Sequence, residues 1–294
     1  MNRLLAASLL AFSAISIASA QMPGVPQYLD IYVAKVKPER RADFDVICRK
    51  IAIANRSAKG DTWLATQVEY GENNTVYFIS QRQDLGAIDQ ASAAFINAMR
   101  QTYGAEAWKK MEQDLNGTLL SSRAEIRRRR MDLSISAPQD PASYNKLIGA
   151  ARWVRTTEIR LRPGHAAQFE ETVKAVKAAF EKNNTNWPIL ISELAAGSPG
   201  VIYYITTLQP SLAGYDSAPK LEDILGDAGM AALAKSSAEN ILSEETTFMR
   251  FLPELSNPPE EIAQTAMDFW RPKAAGMAMA QPKPKPPARP SSAQ

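Results

Sequence analysis

The feature that most constrains this chain is that it is written twice. K-P-E-R-R-A-D-F at 37–44 returns as R-P-G-H-A-A-Q-F at 162–169, each time directly after an extended apolar segment, Tyr28 to Val36 and Trp153 to Leu161. Further on, Trp63 aligns with Trp187. V-Y-F-I-S at 76–80 aligns with I-Y-Y-I-T at 202–206, which pairs Tyr77 with Tyr203 and Phe78 with Tyr204. Gly104 then aligns with Gly226, Arg128 with Arg250, and Leu133-Ser134 with Leu255-Ser256. Landmarks held in one order at a nearly constant offset predict a tandem duplication, and such self-similarity decides an architecture before any single element does.

Periodicity gives the elements of each copy. Pro38 and Pro163 stand where a first helical turn tolerates proline. Behind them Phe44, Cys48, Ile51 and Asn55 recur as Phe169, Val173, Val176 and Phe180 on one helical stripe. Trp63 to Tyr70 and Thr75 to Arg82 read as a hairpin around Gly-Glu-Asn-Asn, and Trp187 to Leu194 with Val201 to Thr207 as another around Gly-Ser-Pro-Gly. A second helical region follows in each copy, 84–121 broken at Gly104 and 221–243 broken near Gly226. A last strand closes each, Arg123 to Leu133 and Thr246 to Phe251.

Strand, helix, strand, strand, helix, strand describes a ferredoxin-like α+β unit, whose helices cover one face of an antiparallel sheet. The first strand is apolar on both alternating sets, with Leu29, Ile31 and Val33 on one side and Tyr32, Ala34 and Val36 on the other, so the bare face also needs cover. The matching sheet of the other copy is the natural cover. The expected fold is therefore two ferredoxin-like βαββαβ units packed sheet to sheet as an intrachain α/β-barrel. Such a chain carries its own partner and should be mainly monomeric. The expected boundaries are a signal peptide at 1–20, a first unit at 21–134, a linker at 135–152 containing Pro138 and Pro141, and a second unit at 153–256. A C-terminal helix at 257–272 and a disordered basic, proline-rich tail at 273–294 complete the chain.

This element order, with its Pro-x-x-x-x-x-Phe and Trp landmarks, resembles the dimeric α/β-barrel superfamily, which includes antibiotic-biosynthesis-monooxygenase and NIPSNAP-like domains. The resemblance covers 28–134 and 153–256. It implies a barrel that can host several chemistries. One is cofactor-independent oxygenation, in which the substrate supplies the electrons and the protein an apolar pocket with a few hydrogen-bond donors. Another is haem chemistry, as in chlorite dismutase-like proteins, which place a histidine ligand on a later helix. The single histidine here, His165, falls instead in the first turn of the second copy's first helix, so haem is not expected. Clustered His or Cys for zinc, a Gly-rich phosphate loop and a G-x-S-x-G elbow are all missing from the sequence. The expectation is no cofactor and no metal.

Arg3, the small apolar run from Leu4 to Ile17, and Ala18-Ser19-Ala20 before Gln21 have the pattern of an export signal cleaved after Ala20, which predicts a periplasmic or secreted protein. No later apolar run reaches the roughly 20 residues of a membrane span. Cys48 is the one cysteine, so an internal disulfide is excluded, and its place on the helical stripe predicts a buried, inert thiol. The formal charge of +3 includes Arg3 of the leader and Lys273, Lys283, Lys285 and Arg289 of an acid-free tail. Without these five the folded part is mildly acidic, which argues against a nucleic-acid partner.

The candidate site residues come from the repeat. The run Arg123 and Arg127 to Arg130 is the most concentrated charge, and strand alternation separates Arg128 and Arg130 from Arg127 and Arg129. Only Arg128 has an arginine counterpart, Arg250. As an inward pair these two could hold a carboxylate bidentately; alternatively they neutralise acids such as Glu69 and Glu193. Trp63, Trp187, Tyr77 and Tyr203 could wall a flat apolar ligand, or be sheet core. Glu158 and Thr156 align with Val33 and Ile31, so one copy is polar where the other is apolar. A single pocket would produce such asymmetry. The expected function is an exported module that binds a small apolar or anionic ligand or a partner. A cofactor-independent monooxygenase acting on an aromatic is the alternative.

Overall fold

The computed structural model describes residues 25–272; the expected leader with its expected cleavage after Ala20 and the expected basic tail at 273–294 lie outside them. The first unit comprises β1 (Tyr28–Val36), α1 (Arg41–Ser57), β2 (Leu64–Tyr70), β3 (Thr75–Arg82), α2 (Gly86–Tyr103), α3 (Ala105–Gly117) and β4 (Leu119–Arg129). After α4 (Pro141–Ala150) the second unit comprises β5 (Trp153–Leu161), α5 (Ala166–Lys182), β6 (Leu190–Ala196), β7 (Ile202–Gln209), α6 (Leu221–Asn240) and β8 (Ile241–Phe251). Short helices α7 (Glu260–Ala263) and α8 (Met267–Trp270) follow. The helical breaks fall at the two glycines anticipated: Gly104 has φ 80° between α2 and α3, and Gly226 has φ 63° inside α6.

The eight strands close into one antiparallel barrel in the order β1-β3-β2-β8-β5-β7-β6-β4. Each unit thus contributes a four-stranded sheet, and the two are zipped along their edges, β2 to β8 and β4 to β6. The expected intrachain α/β-barrel is the fold that forms, and its edges explain why it closes. Two sheets merely stacked would leave four edges of unpaired backbone groups, whereas closure pairs them. At the β4–β6 seam Gly197, with φ +119°, sits so close that a Cβ there would lie 2.5 Å from the Ala124 carbonyl oxygen. That close approach and that φ both call for glycine.

Strands β1, β2, β5 and β6 run one way and the other four run back, so equivalent residues of the two units lie at the same height along the barrel. Between sheet and helices sit two apolar layers. In the first, Phe44, Cys48 and Ile51 of α1 pack on Ala34, Val36 and Val76; in the second, Phe169 and Val173 of α5 pack on Ile159, Leu161 and Tyr203. Burial pushes the Cys48 thiol well up, which keeps it protonated. Among the described residues, no helix is long and apolar enough to cross a membrane.

The segment between the units, expected as linker, holds a helix. Its start is encoded locally: Pro141 occupies the first turn and the Asp140 carboxylate accepts from the Ser143 backbone N–H at 2.9 Å. Tyr144 and Ile148 are buried. The C-terminal segment clamps α4 in place, with the fully buried Trp270 donating from Nε1 to the Gly149 carbonyl at 2.9 Å. A Cβ at Gly149 would overlap the Thr265 hydroxyl. Together these pieces plug one end of the barrel.

Candidate functional site

The interior face is set by β1. Leu29, Ile31 and Val33 point inward, and β4 pairs with them as Leu29 to Arg127, Ile31 to Glu125 and Val33 to Arg123. Alternation then sends Arg123, Glu125, Arg127 and Arg129 into the barrel and Arg128 out. This reverses the orientation expected for the arginines. Arg128 and Arg250 do meet the acids named for them, Arg128 Nη2 lying 2.8 Å from Glu193 Oε2 and Arg250 Nε 3.0 Å from Glu69 Oε1. Both pairs lie on the outer surface, with the arginine side chains 47% and 52% exposed. They are seam contacts where one unit's edge strand meets the other's.

Inside, the charged ladder is asymmetric. Glu125, 2% exposed, accepts from Arg127 Nη2 at 2.6 Å and Nε at 2.9 Å on one oxygen and from Arg123 Nε at 2.8 Å on the other. Burial alone would raise the Glu125 carboxyl; Arg127 and Arg123 outweigh it and hold it below the usual carboxylate range. The Arg127 guanidinium lies 3.4 Å over the Tyr204 ring. Burial pushes the Tyr77 and Tyr204 hydroxyls up, so both stay neutral. Arg129, one step further in, has no acid partner among the described residues. Its carbon Cζ lies 4.4 Å over the Tyr144 ring, its Nη1 is buried without a hydrogen-bond partner, and burial pulls its pKa down. At the equivalent positions of β8 stand Glu245, Thr247, Met249 and Phe251.

Strand register also revises the pairing of aromatics. Val33 faces Tyr77 and its equivalent Glu158 faces Tyr204, so Tyr77 and Tyr204 are the matched pair, both lining the interior. Tyr203 points outward, packs on Phe169 with ring centroids 4.9 Å apart, and donates to Glu170 Oε1 at 2.5 Å. Arg130 sits in the same outer cluster, held by Asp132 and Glu170. Trp63 is buried in the outer layer and donates from Nε1 to the Leu255 carbonyl at 2.8 Å; its bridge to Asn257 makes Ile189, not Trp187, its counterpart. Trp187 is half-buried ahead of β6 and lines neither cavity described next. Glu158 lines the interior directly opposite Glu245.

The barrel is hollow. A cavity of about 190 Å³ runs through it, and Leu29, Tyr77 and Ile79 stay partly exposed although they face inward. The end beneath α4 sets Tyr144, Ile148, Met249 and Phe251 around Arg129; the other end carries Glu72, Arg123, Glu158 and Glu245. A second cavity of about 270 Å³ lies between the first sheet and its helices, walled by Phe44, Phe78, Phe95 and Trp63. Its charged end is fully paired, since Arg82 holds Asp61 bidentately, both at 2.8 Å, and Asp30 at 3.1 Å. Among the described residues no group of three or more His, Cys, Asp or Glu could hold a metal. His165 sits at the start of α5 with Nδ1 2.9 Å from Asn240 Oδ1 and lines neither cavity, so the residues present do not fit a histidine-ligated haem.

These features define a closed α+β barrel with a small, polarised interior. No family model matches the chain, and no curated protein matches it. Several solved structures share the architecture. A candidate monooxygenase from Lactobacillus acidophilus NCFM is 10% identical, with TM-score 0.47, over 77% of this chain and 94% of that one. An anthrone oxidase-like protein is 12% identical, with TM-score 0.46, over 77% and 92%. A heme-binding protein from Thermus thermophilus is 12% identical, with TM-score 0.42, over 79% and 94%. At such identities the likeness says nothing of chemistry.

Proposed function

We propose that this protein is an exported small-molecule-binding module, built from two tandem copies of one unit, that holds its ligand inside the barrel. The observation that carries the reading is the hollow: a barrel of eight strands is just wide enough either to fill with side chains or to hold one small ligand, and this one leaves a cavity of about 190 Å³ with an apolar wall and a few charged groups. An apolar chamber with a few convergent polar groups is the usual form of a ligand site. Binding is favoured over a cofactor-independent oxygenase because the fully buried carboxylate of the barrel interior, Glu125, does not line the cavity and is committed to two arginines, which makes it a weak base. Native mass spectrometry of the exported protein should show a stoichiometric small molecule, or uptake of small ring compounds when they are added. Oxygen consumption with a panel of quinols and polyphenols would move the assignment to an oxygenase.

A further inference from the structure

The β4 wall of the interior carries three arginines and one acid. Arg123 and Arg127 share Glu125, whereas Arg129 has no anion. A guanidinium in such a place is costly unless something negative joins it. Its surroundings suit a ligand. The Tyr144 ring holds the guanidinium from one side, which fixes the plane of its donor fork. Ser192 is its direct neighbour across the β4–β6 seam and also lines the cavity. The equivalent position in the second unit is Phe251, so the chamber offers one unclaimed cation against an apolar wall. Resting on the reading that the barrel holds a small molecule, we infer that Arg129 is its anion-binding group and that the ligand class is a small apolar monocarboxylic acid. The carboxylate takes the Arg129 fork, and the body lies against Leu208, Met249 and Phe251.

Size narrows the class further. A cavity of ~150 Å³ accepts a benzene ring, so about 190 Å³ suits a ring or short branched chain plus one carboxylate. At the mouth Glu72 and Glu158 are paired with Lys35 and Arg160, while Glu245, opposite Glu158, has no ion-pair partner among the described residues, and its charge favours monoacids over diacids.

The test is calorimetric titration of the full chain with benzoate, cyclohexanecarboxylate, benzamide, benzylamine and chloride. Both acids should bind at least tenfold more tightly than benzamide, benzylamine or chloride. Arg129→Met should weaken benzoate at least tenfold and leave benzamide unchanged. Arg129→Lys should keep a preference for the acids, and Arg128→Met, on the outer face, should change nothing. Equal binding of benzoate and benzamide, or of benzoate and chloride, would overturn the carboxylate assignment while leaving the barrel as a ligand site. Undiminished benzoate binding by Arg129→Met would do the same. Should that variant not fold, the wild-type ranking of acid over amide decides alone. If no ring compound binds, charged or neutral, both the carboxylate assignment and the barrel reading fall.

Discussion

Glu125→Gln tests whether the interior ladder is a working electrostatic unit. The substitution keeps shape and removes the charge shared by Arg127 and Arg123. Breaking a buried pair from one side costs about 3–5 kcal/mol, because it strands the partner. Arg123 is 43% exposed, so its share is screened by solvent and the lower end, about 3 kcal/mol, is expected. For a domain of this size each kcal/mol moves the midpoint by about 2–4 °C, which gives a fall of about 6–12 °C in a calorimetric melt at pH 7. The pH dependence has a fixed sign. The folded carboxyl is held below its unfolded value, ordinarily about 4.3, so its stabilisation is complete above that value and is lost as pH falls through the folded one. The gap between wild type and variant should therefore close below about pH 4. A rescue is already present in the chain: β8 carries Thr247 and Met249 where β4 carries Glu125 and Arg127. The double replacement Glu125→Thr with Arg127→Met should recover most of the loss, since an apolar solution often equals a buried ion pair. A Gln variant melting within 1 °C of wild type, or a double variant no better than the single, would refute the reasoning.

Four further outcomes follow from the same geometry. Arg128→Leu and Arg250→Leu remove exposed seam pairs and should each cost no more than about 1 kcal/mol, a loss that vanishes in high salt when melts are compared with and without added sodium chloride. Arg129→Met should raise ligand-free stability by about 1–2 kcal/mol in denaturant unfolding, because relief of an unsatisfied buried donor exceeds the lost contact with Tyr144; a destabilised variant would mean that Arg129 is paired after all. Trp270→Ala empties a fully buried site and should cost about 3–5 kcal/mol, with faster amide exchange in α4 as the readout specific to a loosened plug. Residues 21–134 expressed alone expose the edges of β2 and β4 and should dimerise or aggregate in sedimentation; a well-behaved monomer would count against barrel closure as the stabilising step.

The sequence was informative about scaffold and silent about parity. Strand β1 and its counterpart β5 were placed to the residue, because an apolar run bounded by Pro38 and Pro163 has only one extent. The inward face of β4 was misassigned because arginines occupy both alternating sets and a one-residue choice exchanges the faces. The local clue was Glu125, which stands two residues from both Arg123 and Arg127 on one face. Such a same-face triad closes on itself when buried. Tyr77 was matched to Tyr203 because the second hairpin is one residue longer than the first, as the registers show, and similarity of aromatic type hid the slip. The apolar face of α4 is too short to signal a helix in the sequence, although Asp140-Pro141 marks its start.

Residues that match between the two units are those both units need. Arg128 and Arg250 match because each seam needs a cross-strand ion pair, and neither seam is a pocket. A ligand that occupies one chamber on the axis relating two like units breaks their symmetry, so its contacts must differ between them. At equal height along the barrel the units differ at Arg123 against Glu245, Glu125 against Thr247, Arg127 against Met249, Arg129 against Phe251 and Val33 against Glu158, and all of these side chains except those of Glu125 and Val33 line the hollow. Repeat matching therefore finds the frame. Repeat mismatching, restricted to inward positions by the register, points to the proposed site at Arg129, whose buried Nη1 has no hydrogen-bond partner among the described residues.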